Sequence, residues 1–251
     1  MEMDIDEYGG LAHLTLDPSS SSSYPLEIIH EDTHLLVAFK RHRQPVQSDK
    51  TGHPTLFNQI CLSLKERYQT HEKIYLGLIH RLDRPAAGLL VFAKSQLGAA
   101  NLSDQFRRRT IKKKYLALTE NIPKNNSGRL ACYISTPTVG PSLVYDEPLP
   151  NTKPAELEYR VLESHKNRSL VEVKLLTGRR HQIRAQMAQI GCPLLGDGKY
   201  GSTTPFLPGS IALLAEELGF MHPESHKELQ IKLPLNLSSV HLVWNTWKSH
   251  S

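Results

Sequence analysis

The chain has 251 residues, of which 39% are hydrophobic and 22% charged, with a formal net charge of +5. This composition supports a real core and excludes a wholly disordered protein. No apolar run approaches the roughly 20 residues that a membrane-spanning helix needs.

Residues 1–24 contain Glu2, Asp4, Asp6, Glu7 and Asp17, no Lys or Arg, and a closing serine run. They are expected to form a disordered acidic arm. The folded domain is then 25–251, and it carries +10. Such a basic body points to a polyanionic partner, most often nucleic acid. The opening residues lack a basic, apolar leader pattern. Cys61, Cys132 and Cys192 show no metal or redox spacing and read as thiols in a reducing compartment. A cytoplasmic location is the expectation.

Residues 26–39 predict two short strands around a turn. Within them His30-Glu31-Asp32-Thr33-His34 matches a zinc-hydrolase signature. That chemistry needs a helix to bring both histidines to one face, and the flanks here are strand-like, so the match is read as a decoy. Over 55–69, Leu56, Ile60, Cys61 and Leu64 share a helical face. The run 88–94 predicts a buried strand, and 96–109 a helix ending in three arginines. Strands are predicted over 111–119, 129–134, 155–163, 169–176 and 228–233, and a helix over 178–190 with Ile183, Met187 and Ile190 inward and Gly191 as its stop. A short helix is expected over 211–218, and the segment bearing Trp244 and Trp247 should pack back on the body. Strands and helices do not alternate regularly, so the fold class is α+β with a mixed, mainly antiparallel sheet.

Three stretches carry candidate chemistry. In His80-Arg81-Leu82-Asp83-Arg84-Pro85, Pro85 biases Arg84 to an extended conformation, placing Asp83 in a tight loop before the buried strand. A carboxylate between two arginines stays ionised and can serve as nucleophile or base. Six of the eight residues from Arg107 to Lys114 are basic, with Tyr115 following, a pattern suited to phosphates and an unpaired base. In Gly178-Arg179-Arg180-His181-Gln182-Ile183-Arg184, the two arginines four apart should share a helical face, and a partly buried Arg184 requires a carboxylate partner.

Taken in order, these stretches resemble the RluA family of pseudouridine synthases. The aspartate motif reads HRLDRPAAGLLVFAK, the Lys-x-Tyr-x-Ala strand is Lys113 to Ala117, and the helix motif is Gly178 to Arg184. Leu195-Gly196-Asp197 and Tyr200-Gly201 follow in register, so the likeness runs from about 26 to 235. It implies the pseudouridine synthase fold with a basic RNA cleft and an isomerase acting on uridine in rRNA or tRNA. Asp83 would be the catalytic aspartate, Arg184 its ion partner, and Tyr115 a base-stacking residue that assists proton removal. Arg81 would fill the space left by the displaced uridine, and Ile183 would wall the pocket. Arg179, His181, Lys40, Lys112 and Lys114 are candidates for RNA contact. No metal or redox cofactor is implied, because isomerisation consumes nothing, and a monomer is expected. Many relatives carry an S4-type RNA-binding domain, for which the acidic arm is too short. Two departures stand out. The family's small hydroxyl residues after the aspartate are Ala86 and Ala87 here, and its Lys-Pro-x-Gly turn reads Lys40-Arg41-His42-Arg43. The first is the sole support for a rival reading, a catalytically silent RNA-binding or ribosome-assembly factor.

Overall fold

The computed structural model describes residues 25–48 and 54–249, so the acidic arm lies outside the described residues. The described residues fall into two compact units, those up to Ile111 with Gly219–Ile231, and Lys112–Leu218 with those from Lys232 onward.

In the first unit β1 (Glu27–Glu31), β2 (Leu35–Lys40) and β4 (Ala87–Ala93) lie in the order β1-β2-β4, with β3 (Gly77–Leu78) also paired to β4. The pairings are antiparallel. Every residue of β2 and β4 is buried, which explains their unbroken apolar runs. Helix α1 (Leu56–Arg67) is capped by Thr55, whose hydroxyl accepts from the Asn58 N–H. Its Leu56, Phe57, Ile60, Cys61 and Leu64 pack on Leu36, Ala38, Leu90 and Phe92. Helix α2 (Gln96–Arg107) starts at Ser95, whose hydroxyl takes the Gly98 N–H at 3.0 Å. A Cβ at Gly98 would run into the His34 carbonyl oxygen, so the helix docks through a glycine. At its other end the Gln105 amide donates to Met221 O (2.7 Å) and accepts from Met221 N (2.8 Å), pairing a side chain with strand backbone.

The decoy motif forms the end of β1 and the turn before β2, not a helix. Asp32 in the turn accepts from His30 Nε2 (3.0 Å), His222 Nε2 (3.2 Å), and the His34 and Leu35 amides. Backbone amides of Glu224 and Ser225 donate to His222 Nδ1, so Nε2 carries the proton that goes to Asp32. His222 thereby staples the segment after 218 to the β1–β2 turn.

The second unit contains β5 (Lys112–Glu120), β6 (Ser127–Ser135), β7 (Leu143–Tyr145), β8 (Thr152–His165), β9 (Arg168–Leu175), helix α3 (Gln182–Gln189) and β10 (Leu213–Met221), which starts here and ends in the first unit. Its strand order is β10-β5-β9-β8-β6-β7. Strand β11 (Glu228–Lys232) pairs with β10, and α4 (Ser239–Ser249) follows. Trp244 is buried and donates Nε1–H to Glu163 at 2.8 Å, as expected of the closing segment; the Trp247 side chain lies outside the described residues. The mixed α+β class with a mostly antiparallel sheet agrees with the sequence reading. The helix expected over 211–218 is instead strand β10. Leu213, Leu214, Ala215 and Leu218 are all buried there, so no amphipathic period marks it, and burial on both faces overrides the helix-forming composition.

Glu120, buried at the end of β5, accepts from Thr203 N (3.0 Å), Thr203 Oγ1 (3.0 Å) and Thr204 N. Burial would raise its carboxyl, but these donors outweigh it and hold the group below its ordinary 4.5. A depressed carboxylate contributes stability above its unfolded value, and that contribution is lost as pH falls through the folded value. Denaturation midpoints should therefore fall more steeply below 4.5 for the wild type than for Glu120→Gln. Parallel curves would remove Glu120 as the acid-sensitive group.

Candidate active site

Asp83 sits in the first unit, in the turn that feeds β4. The turn closes with Ala86 N–H on Asp83 O at 3.1 Å. Upstream, His80 Nε2 accepts the Val91 N–H at 3.1 Å and its ring stacks on Phe106 at 4.7 Å, which moors the motif to β4 and α2. Leu82 is half-buried against the α1–β2–β4 core. Arg81 between them is exposed. Apolar and ring anchors thus alternate with a side chain facing solvent, and the aspartate follows on a fixed chain.

Lys40 is the last residue of β2 and pairs with Gly88, so it faces the same loop. It is fully buried, and Nζ donates to Arg41 O (3.0 Å), Arg84 O (3.1 Å) and Ala86 O (2.5 Å). Burial pushes its ammonium down to about 7, Asp83 pulls it up, and Arg84 lowers it further. The RNA contact expected of Lys40 is corrected here, since a side chain with no exposed surface and three carbonyl partners does not meet a phosphate. His42 beside it donates Nδ1–H to Pro85 O at 2.9 Å. Burial lowers this imidazole, the Pro85 carbonyl raises it, and Lys40 lowers it again.

The second unit holds the other candidates. Tyr115 is buried on β5, paired with Val173 of β9. Strand alternation puts Lys113 on the Tyr115 face, with Nζ within 3.2 Å of where a Gly178 Cβ would stand. Lys112 is exposed. Lys114, expected to contact RNA, is half-buried and ion-paired to Glu217 (2.9 Å) and Glu172 (3.8 Å).

Helix α3 begins four residues later than expected. His181, at φ 56°, is left-handed, and the preceding residues form turns. Arg180 therefore does not share a helical face with Arg184; its guanidinium instead donates to Pro137 O (2.5 Å) and Gly140 O (2.8 Å). Arg179 Nε donates to Pro154 O at 3.0 Å. Arg184 is buried in α3 beside buried Ile183. Its Nε and Nη2 donate to Asp197 Oδ2 (2.7 Å) and Oδ1 (2.8 Å), a bidentate pair, and its guanidinium lies 5.1 Å from the Tyr200 ring centre. The carboxylate partner demanded by burial is thus present in this unit as Asp197, a residue whose motif was legible but whose pairing was not. The Tyr200 hydroxyl meets His181 Nδ1 (3.0 Å) and accepts from Ser142 N (2.7 Å), which fixes the ring. Among the described residues, no group of three or more His, Cys, Asp or Glu is placed to hold a metal ion.

The first unit thus carries a loop aspartate fixed at a strand head, and the second carries a buried tyrosine and a buried, carboxylate-paired arginine. A family model described as RNA pseudouridylate synthase matches residues 34–189. The chain is 34% identical over 231 residues to ribosomal large subunit pseudouridine synthase D of Nitrosomonas europaea, covering 86% of this chain and 63% of that protein. It is 32% identical to the uncharacterized RNA pseudouridine synthase YlyB of Bacillus subtilis (89% and 74% covered) and 33% identical to ribosomal large subunit pseudouridine synthase C of Vibrio cholerae (83% and 65%). Among solved structures, human RNA pseudouridylate synthase domain containing 4 superposes with TM-score 0.70 at 25% identity, over 86% of this chain and 92% of that one. Human RNA pseudouridylate synthase domain containing 1 shares the fold, with TM-score 0.68 at 24% identity, over 88% and 89%. The chain belongs to the RNA pseudouridylate synthase family. It spans 63% to 74% of the lengths of the three curated relatives above.

Proposed function

We propose that this chain isomerises selected uridines in RNA to pseudouridine. The observation that carries the reading is Asp83 at the head of β4, in the His-Arg-Leu-Asp motif, on a turn held by its own backbone. The uridine leaves its stack so that the glycosidic bond can be reached. Arg81, exposed two residues before Asp83, fills the vacated space. Asp83 opens the N1–C1′ bond, by attack at C1′ or by taking the C2′ proton to give a glycal. The freed uracil rotates and rejoins through C5.

In this reading Tyr115 stacks on the uracil and assists the last proton removal, and Ile183 walls the pocket. Arg184, held by Asp197 on one guanidinium edge, is proposed as the residue that keeps Asp83 ionised. Lys112 and Arg107, Arg108 and Arg109, all exposed, supply phosphate contacts along a basic RNA cleft, with Arg179 and His181 adding to them. The names of two relatives favour ribosomal RNA of the large subunit as substrate over tRNA. The working form is a cytoplasmic monomer that needs no metal. Among the described residues no helix is long and apolar enough to cross a membrane.

The test is a pseudouridine map of RNA from cells lacking this gene, complemented with the wild type, alongside purified protein acting on the unmodified RNA. Sites lost and restored, in cells and in the purified reaction, are expected and name the substrate. RNA binding without isomerisation in the purified reaction would instead identify a silent binding factor.

A further inference from the structure

The loop after Asp83 lacks the hydroxyl residues of its family, since Ala86 and Ala87 are fully buried methyl side chains. Its backbone is nevertheless held at three consecutive carbonyls, all from one short segment of the neighbouring strand end. Arg84 O accepts from Lys40 Nζ (3.1 Å) and from Arg43 N (2.8 Å). Pro85 O accepts from His42 Nδ1 (2.9 Å), and Ala86 O from Lys40 Nζ (2.5 Å). Arg43 closes the loop from the other side, its own carbonyl accepting from Arg84 Nε at 3.1 Å. To present its N–H in this direction Arg43 adopts φ 65°, a left-handed conformation unfavourable for a residue with a Cβ and not adopted without compensation.

We infer that Lys40, His42 and Arg43 form a clasp that positions Asp83 by gripping the carbonyls of Arg84, Pro85 and Ala86. Lys40 is central to it. An ammonium has three N–H donors, and here they meet three carbonyls, those of Arg41, Arg84 and Ala86, in a site closed to water. Lys40 and His42 are positioning residues, acting on uridine only through Asp83. The inference rests on the proposed isomerase reading for its kinetic consequence, and on geometry alone for the order of the loop.

Two readouts on the full chain separate these. Lys40→Met keeps the unbranched stem, one atom shorter, and removes its donors. By hydrogen exchange, the Ala86 amide, which closes the turn on Asp83, should exchange at least about tenfold faster than in the wild type. In turnover on RNA, kcat should fall about 10²-fold, as expected for a misplaced reacting group, with KM within about twofold. His42→Ala, which removes one of the loop's donors, should shift both in the same direction by less, and decides the matter if Lys40→Met does not fold. Wild-type exchange at Ala86 in the folded variants would overturn the clasp, and so would a raised KM with unchanged kcat, the mark of an RNA contact. If the wild type makes no pseudouridine the isomerase reading fails, and the exchange result still decides whether the clasp orders the loop.

Discussion

Asp83→Asn is expected to bind RNA as the wild type does and to convert no uridine. The amide has the shape of the carboxylate, and the turn is gripped at its backbone carbonyls and the Ala86 N–H, so the loop is expected to keep its fold. What disappears is the negative charge, and with it both routes open to Asp83, attack at C1′ and removal of the C2′ proton. Loss of the group that starts the reaction should lower turnover by about 10⁴-fold or more. Mass spectrometry of pseudouridine after incubation with unmodified RNA reads the first quantity, and fluorescence anisotropy with labelled RNA the second. Turnover like the wild type would remove Asp83 from the mechanism.

Asp197→Ala should produce the largest loss of stability among the site residues. Arg184 and Asp197 are 4% and 1% exposed, and two short bonds join them. Deleting one member of a buried ion pair leaves the other charge uncompensated, a cost of about 3–5 kcal/mol. The denaturant midpoint should fall accordingly, and activity with it, because Arg184 loses the partner that orients it. Replacing both, as Asp197→Leu with Arg184→Met, should recover most of the stability, since apolar pairs of similar volume commonly match a buried ion pair. The double variant should remain inactive. A stable and active double variant would show that the pair serves the fold alone. An Asp197→Ala protein with an unchanged midpoint would show that the pair contributes little to either.

These expectations draw unequally on the sequence. Helix α1 and strands β5, β8 and β9 were legible because their apolar periods are strong, and β4 because it is an unbroken apolar run. Strand β10 was not, because its leucines, alanine and paired glutamates favour a helix and burial on both faces leaves no alternation to contradict that. Strands β3 and β7 are two and three residues long, too short for any period to register. Within the site, Asp83, Tyr115 and Arg184 stood out by motif. The bond from Arg184 to Asp197 joins a helix to a later turn and leaves no local trace. Lys40 was the hardest case. In Lys40-Arg41-His42-Arg43 four cationic or titratable side chains follow one another, and only the register of Lys40 against Gly88 separates the buried one from its more exposed neighbours. The same limit applies at Lys112 to Lys114, where β5 turns one lysine to water and another to two glutamates.

The division of the chain also bears on its synthesis. Each unit is built from two stretches distant in sequence, and the second stretch of each lies beyond Leu218. Residues 219–231 supply the first unit with Met221, which Gln105 grips, and His222, which Asp32 holds. Residues after 231 supply the second unit with Leu233, whose N–H meets Glu216 O, and with Trp244. A nascent chain that has reached Leu218 therefore has neither unit whole, although strands β1 to β9 have all been made. Domains that fold vectorially can complete an N-terminal part while the rest is still being translated. Here both units take their closing stretch from beyond Leu218, so neither can be complete until that segment has been made.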